Sequence, residues 1–451
     1  MLETPESQQN YQPADGLRYL FLDFNAYFAS VEQHDRPELI GRPVIVIPHA
    51  SEHTGAIAAS YEARVYGINR GTHVRDARKL CPDIAIMPAR HDRYVQVHNL
   101  VIEEIQRHLP LVKVCSVDEA VFQLSRSERT APPAIATAQR VKQGIAENVG
   151  PALKASIGLA PTPLLAKIAA ELVKPDGLTV LGLDDLPAKL ANIPLTDIPG
   201  VGAGVEARLA RSGIRNFLSL WNLQPKQARA IWGSVAGERF WYGLHGYDTH
   251  DPATKKSMIG HSRVLSREHE APEDARLVAR TLLMKAASRL RHYGMHAGAV
   301  SLSLRLRPEG DWGSGRRFPH SQDSFRFLHA LDDMWTEYLR YRGREGERVR
   351  IGTVTLHLHR LCCPEDAAFR QQDLFADASR EEADGKRDRL WRAIDAINAD
   401  LESKYRKLGA KGEDAPARRY ITLASQSGVD LSYVGAKIAF SRVPEEAEFL
   451  Y

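Results

Sequence analysis

Asp23 closes the apolar run Leu17-Arg-Tyr-Leu-Phe-Leu-Asp-Phe24, where a charge has no packing purpose and is costly to bury unpaired. Asp118 and Glu119 form a second acidic cluster within residues 112–124, where two apolar stretches around a short polar break predict strand, turn and strand. Neighbouring strand residues point to opposite faces, so both carboxylates can serve one site only if the chain turns there. Three carboxylates on adjacent central strands make a hard-oxygen site for two Mg²⁺ ions. Two such ions, roughly 3.5 to 4 Å apart, can activate an attacking oxygen and stabilise a leaving one during phosphoryl transfer. An acidic pair at a hairpin is also the ordinary composition of a solvated turn, so the pair alone does not decide.

The elements that must carry these groups follow from periodicity. The run ending at Asp23 reads as a buried strand, followed by a helix over residues 26–33 and a second strand over 43–47. A helical stretch from about 133 to 148 and a strand over 154–160 complete an alternation of strands and helices, which predicts a mixed α/β domain with one inserted lobe. From about 185 to 250 short helices separated by glycines take over. Residues 258–361 return to α/β, with a periodic helix over 275–292 leading into the alternating strand 299–307. A polar segment from 362 to about 386 leads to a last helix, where Leu390, Ile394, Ile397 and Leu401 repeat at helical spacing.

Composition bounds the class. With 451 residues, 43% hydrophobic and 26% charged, the chain is globular and long enough for roughly three domains. Its 60 basic and 56 acidic residues leave a net charge of only +4, which excludes a protein coated in one sign. The balance is uneven: residues 254–361 hold 20 Lys plus Arg, 17 of them Arg, against 12 Asp plus Glu, so this segment carries +8 and the rest −4. Arginine suits bidentate phosphate contact, although an arginine-rich solvated surface is the plain alternative. Cys81, Cys115, Cys362 and Cys363 have spacings that suit neither a disulfide framework nor a zinc site, which points to a reducing compartment. No signal peptide or run of 18 uncharged apolar residues is present, so a cytoplasmic protein without a membrane partner is expected.

Four separated motifs occur in one order: Asp23-Phe-Asn-Ala-Tyr-Phe-Ala-Ser-Val-Glu32; Ala59-Ser-Tyr-Glu-Ala-Arg64 with Gly67 after it; Ser116-Val-Asp-Glu-Ala120; and Ser156-Ile-Gly-Leu-Ala160, continuing to Leu165-Ala-Lys-Ile-Ala-Ala170 and Lys174-Pro-Asp-Gly177. This set resembles the Y-family translesion DNA polymerases over about residues 17–361. The resemblance implies an α/β multidomain, right-hand polymerase: a polar leader (1–16), palm (17–24 and 89–182), fingers (25–88), helix-hairpin-helix thumb (183–253), α/β little finger (254–361) and C-terminal tail (362–451). It implies that Asp23, Asp118 and Glu119, with the backbone carbonyl of Phe24, hold two Mg²⁺ ions. Tyr61, Arg64 and Lys174 would grip the incoming triphosphate. Phe28 would be the steric gate that rejects a ribose 2′-hydroxyl, and Gly55, Ala56, Ile57 and Ala58 would roof the nascent pair. Asn25 departs from the many members that carry a second acid there, and Asn-Ala is similar to the polymerase V catalytic subunit; the three main ligands remain.

The segment from Ile198 to Gly202 looks like the family's thumb hairpin, where Gly200 and Gly202 let backbone N–H groups approach a DNA phosphate. Lys255 and Lys256 resemble the DNA-binding entry to the little finger. Gln371-Gln-Asp-Leu-Phe375 matches the peptide by which bacterial polymerases engage the sliding clamp (beta), with Gln371 fixing register and Leu374 and Phe375 filling an apolar pocket. The function implied is template-dependent, low-fidelity addition of dNTPs to a primer 3′ end during translesion synthesis, by a nucleoid-associated monomer that binds primer-template DNA, the clamp and, through the tail, a recombinase or accessory mutagenesis protein. No side chain stands out as general base. The alternatives are a catalytically inactive adaptor linking clamp and DNA to another polymerase, or a nucleotide cyclase, which has no use for the thumb hairpin or the residues 371–375.

Overall fold

The computed structural model describes residues 13–249, 256–308, 310–345, 350–364, 386–398, 400 and 443. Two compact units divide the chain between Pro252 and Ala253. Among the described residues no helix is long and apolar enough to cross a membrane.

The first unit is built around β1 (Tyr19–Phe24), whose six residues are all buried. β1 lies at the middle of a five-stranded sheet with β5 (Leu111–Val114), β6 (Glu119–Gln123), β7 (Ala155–Ala160) and β8 (Leu178–Val180), in the order β5-β6-β1-β7-β8. It runs antiparallel to both neighbours, and the register sets Asp23 opposite Glu119 on one side and Ser156 on the other. Strand alternation sends Tyr19 and Phe21 into the core shared with α6 (Pro163–Leu172). α6 starts at a strong signal, Thr162 capping the Leu165 N–H ahead of Pro163. The long helices α4 (His91–Gln106) and α5 (Ala131–Asn148) belong to the same unit.

Between β1 and α4 the chain makes α1 (Tyr27–Asp35) and a small lobe. That lobe holds β2 (Val44–Ile47), β3 (Ala58–Ala59), α2 (Tyr61–Arg64), α3 (Val74–Leu80) and β4 (Ala85–Pro88), its sheet running β3-β2-β4 over a separate core that includes Ile45, Ile68 and Ala77. After β8 come four short helices, α7 (Ala203–Arg211), α8 (Phe217–Trp221), α9 (Pro225–Trp232) and α10 (Val235–Leu244). Their buried residues Leu209, Phe217, Leu220 and Leu244 continue the core beneath β1 and α6. The helical segment thus packs against α6, which covers that face of the sheet.

In the second unit β9 (Met258–Val264), β10 (Ala297–Arg307), β11 (Asp311–Ser321) and β12 (Arg350–His359) form an antiparallel sheet in the order β11-β10-β12-β9. α11 (Pro272–His292) and α12 (Ser324–Glu345) supply the other half of its core. Strict alternation along β10 buries Val300, Leu302, Leu304 and Leu306 and leaves Ser303 and Arg305 exposed.

The last helical stretch, residues 386–398, packs on this unit by a face the apolar periodicity does not mark. Leu390 and Ile397 are 48% and 45% exposed, whereas Trp391 is buried. Its indole packs on Phe325 with ring centroids 4.8 Å apart at a tilt of 53°, and its Nε1–H donates to Asp323 Oδ1 at 3.0 Å. Arg387 reaches the other oxygen of Asp323, and Asp395 pairs with Arg291 through both carboxylate oxygens. Packing one turn apart, at 387, 391 and 395, overrides the Leu-Ile pattern. Leu401 lies outside the described residues.

Candidate active site at the ends of the central strands

Asp23 and Glu119 are opposite one another in an antiparallel pair, so their side chains share one face. α6 crosses that face and brings Glu171, and oxygens of Asp23, Glu119 and Glu171 lie within 4.8 Å of one another. Two lysines offset most of the charge. Lys167 Nζ donates to both Glu119 oxygens at 2.6 and 2.7 Å, and Lys174 Nζ lies 2.9 Å from Asp23 Oδ2 and 2.8 Å from Glu171 Oε1. Burial pushes the Asp23 carboxyl up to about 7, against the pull of the Lys174 charge. At Lys174 burial acts downward, but Asp23 and Glu171 outweigh it and hold the ammonium above its usual value.

Asp118 is not part of the three-carboxylate group. The chain bends over 116–118, Phe24 N–H donates to the Asp118 carbonyl at 2.9 Å, and the Asp118 carboxylate accepts from Ser116 Oγ at 2.5 Å. Its charge acts on Tyr27, whose hydroxyl is pushed up by burial first and by Asp118 second. The expected trio Asp23, Asp118 and Glu119 therefore appears as Asp23, Glu119 and Glu171, with Asp118 at the edge. Neither Glu171 nor Lys167 stands out in sequence, since charges on a helix usually face solvent. Their signal is a spacing of four on a helix whose other middle positions, Leu165, Ala166, Ile168, Ala169 and Ala170, are all buried.

An all-oxygen donor set of this kind fits a hard divalent cation such as Mg²⁺, and the lysines occupy the carboxylates as countercharges. Asp23, Glu119, Glu171 and a reoriented Asp118 are the groups able to hold it.

Phe28 stacks on Tyr94 with ring centroids 4.4 Å apart and an interplanar angle of 15°. Tyr94 is fixed at both ends: its hydroxyl donates to Glu32 Oε1 at 2.8 Å and its carbonyl accepts from Tyr27 Oη at 2.7 Å. Buried Glu32 also binds Arg36 and Arg90. Glu32 and Tyr94 thus buttress the Phe28 ring, a support legible only in three dimensions.

In the small lobe, buried Ser60 caps α2 by accepting from Ala63 N–H, and the exposed Arg64 guanidinium lies 4.2 Å from the centre of the Tyr61 ring. Of the four roof candidates, Ala56 is buried in the lobe's own core, and a Cβ on Gly55 would meet the Gly71 carbonyl at 3.0 Å. Only Ile57 and Ala58 are half-exposed side chains there. Gly200 has φ +91, a conformation that requires glycine, and Gly202 opens α7 with nothing near its Cα hydrogens. Lys256 Nζ lies over the Tyr293 ring, 3.0 Å from its centre. Lys255 and the segment Gln371 to Phe375 lie outside the described residues.

Profiles of the impB/mucB/samB family and of its C-terminal domain match residues 22–171 and 256–374. The chain is 36% identical over 391 residues to DNA polymerase IV of Moorella thermoacetica, covering 84% of this chain and 92% of that one. It is 33% identical over 291 residues to DNA polymerase IV of Alkalilimnicola ehrlichii, covering 64% and 81%. Among solved structures, the Y-family DNA polymerase chimera Dbh-Dpo4(243-245)-Dbh superposes with a TM-score of 0.65 at 21% identity, over 77% of this chain and 99% of that one. Residues beyond 374 fall outside both profiles.

Proposed function

From the premise that this chain belongs to the Y family of DNA polymerases, and is a DNA-directed DNA polymerase of the translesion, polymerase IV type, we propose that it adds dNTPs to a primer 3′ end at the Asp23–Glu119 site with two Mg²⁺ ions. The observation that carries the reading is the convergence of Asp23, Glu119 and Glu171 at the ends of neighbouring strands, with Lys174 beside them. Two bound ions would supply activation of the primer 3′-oxygen and charge neutralisation at the α-phosphate and pyrophosphate. Asp23 and Glu119 hold the site on rigid strands, and Asp118 joins by turning from Ser116. Lys174 and Arg64 donate to the triphosphate, Tyr61 adds its hydroxyl, and Lys167 orients Glu119. The carbonyl of Phe24 is the backbone ligand.

The assignment of palm, fingers, thumb and little finger to residues 17–24 with 89–182, 25–88, 183–253 and 254–361 belongs to this reading. So does DNA contact by Gly200 and Gly202 in the thumb and by Lys255 and Lys256 at the entry to the little finger. The solvent face of the second sheet, with Ser303, Arg305, Gly313, Gly315 and Thr355, suits close approach to a phosphate backbone. Much of the domain's arginine is spent internally: Arg276 and Arg280 pair with Asp332, Arg291 with Asp395 and Arg316 with Glu337. The +8 already subtracts Asp332 and Glu337; of these partners only Asp395, outside residues 254–361, lowers it further.

We propose clamp recruitment through Gln371, Leu374 and Phe375. One experiment tests polymerase and clamp readings together: extension of a primed template with Mg²⁺ and dNTPs, with and without clamp. The intact protein is expected to extend alone and to make longer products with clamp; replacing Leu374 and Phe375 with Ala removes only the gain. No extension overturns the polymerase reading, and a retained gain overturns the motif.

Phe28→Ala is expected to raise the ratio of ribonucleotide to deoxynucleotide incorporation by about 10²-fold, because a packed ring that meets the 2′-hydroxyl is removed. Steady-state incorporation of rNTP against dNTP reads this, and unchanged discrimination refutes the gate.

A further inference from the structure

Asn25 is buried at 3% exposure, two residues beyond Asp23, and both ends of its amide are engaged. Oδ1 accepts from the Asp176 N–H at 2.7 Å, and Nδ2 donates to Ser156 Oγ at 3.2 Å. Ser156 Oγ in turn donates to the Val173 carbonyl at 3.0 Å and accepts from the Gly177 N–H at 3.2 Å. Lys142 Nζ adds bonds to the Asp176 carbonyl and Oδ1 at 2.5 and 2.8 Å. These contacts enclose residues 173–177, from which Lys174 reaches Asp23. Asp176 has φ +55, a left-handed backbone that non-glycine residues seldom adopt. The loop's shape is therefore imposed by its partners rather than by local preference.

We propose that Asn25 is a positioning residue: a strut that holds the 173–177 loop so that the Lys174 ammonium is presented to the triphosphate, and that does not bind metal. The inference rests on the reading of Lys174 as a triphosphate contact. It also explains why an amide stands where a carboxylate is common. The position must accept from a backbone N–H and donate to Ser156 at once, because the single Ser156 hydrogen is committed to Val173. A carboxylate at 25 has no hydrogen to give. Ser156 then turns its hydrogen to the carboxylate and leaves the Val173 carbonyl without it, one residue before Lys174.

The test is dNTP affinity in the ternary complex with a dideoxy-terminated primer, measured for the intact protein, Asn25→Ala, Asn25→Asp, Lys174→Ala and the double variant Asn25→Ala with Lys174→Ala. Lys174→Ala is expected to weaken dNTP binding about tenfold and each Asn25 variant about fivefold, while Asn25→Ala adds less than about twofold on the Lys174→Ala background. The Mg²⁺ concentration for half-maximal binding stays the same in Asn25→Asp. Full additivity overturns the positioning role, and a lowered Mg²⁺ midpoint in Asn25→Asp makes position 25 a metal ligand and overturns it too. Unchanged affinity in Lys174→Ala removes the triphosphate reading itself, which is a distinct result. If Asn25→Ala does not fold, Ser156→Ala breaks the same link and carries the same cycle.

Discussion

Asp23→Asn protein is expected to bind primer-template DNA with the affinity of the intact chain and to extend it at about one-thousandth of its rate or less. The substitution keeps size and shape at a position where all six strand residues are buried, so the fold has no packing reason to change. What it removes is one negative charge from the group formed with Glu119 and Glu171. That loss takes the group from a net charge of −1 to zero, since Lys167 and Lys174 remain. The DNA contacts proposed for the helical hairpin and the second sheet do not involve Asp23. Single-turnover incorporation separates the rate from binding, and a loss below about tenfold removes Asp23 from the catalytic centre.

Trp391→Ala is expected to destabilise the protein by about 3–5 kcal/mol, the range for truncating a large buried aromatic. The indole is 1% exposed, and its removal also takes a hydrogen bond from Asp323, a fully buried carboxylate left with Arg387 as its side-chain ion partner. Calorimetry of the full chain should show the transition of the second unit fall on the order of 10 °C. A shift under about 2 °C means that residues 386–398 do not dock as described. Chain ended after residue 375 should behave like the substitution. Residues 386–398 are thus an element of the second unit.

The central sheet and its carboxylates were legible because apolar runs, strand alternation and four ordered motifs agree on where Asp23 and Glu119 must be. Strand alternation also explains why Asp118 stands at the edge of the group. Adjacent residues diverge, and the bend at 116–118 gives its carboxylate to Ser116. Glu171 and Lys167 were hidden by the ambiguity of charges on a helix: only the crossing of α6 over β1 brings half-buried Lys167 and exposed Glu171 to the strand ends. The tail helix misled for the opposite reason. Leu390, Ile394 and Ile397 repeat convincingly, yet one tryptophan and two ion pairs decide which face packs. Asn25 reads as a missing acid in sequence because its partner, Asp176, is 151 residues away.

The claim on which the rest depends is that Asp23, Glu119 and their neighbours hold two divalent ions. Counting bound Mn²⁺ by electron paramagnetic resonance, with a dideoxy-terminated primer-template and the complementary dNTP, tests it most directly. Two ions per chain in the intact protein and fewer in Asp23→Asn are the expected result; one ion or none in the intact complex, or an unchanged count in Asp23→Asn, contradicts it.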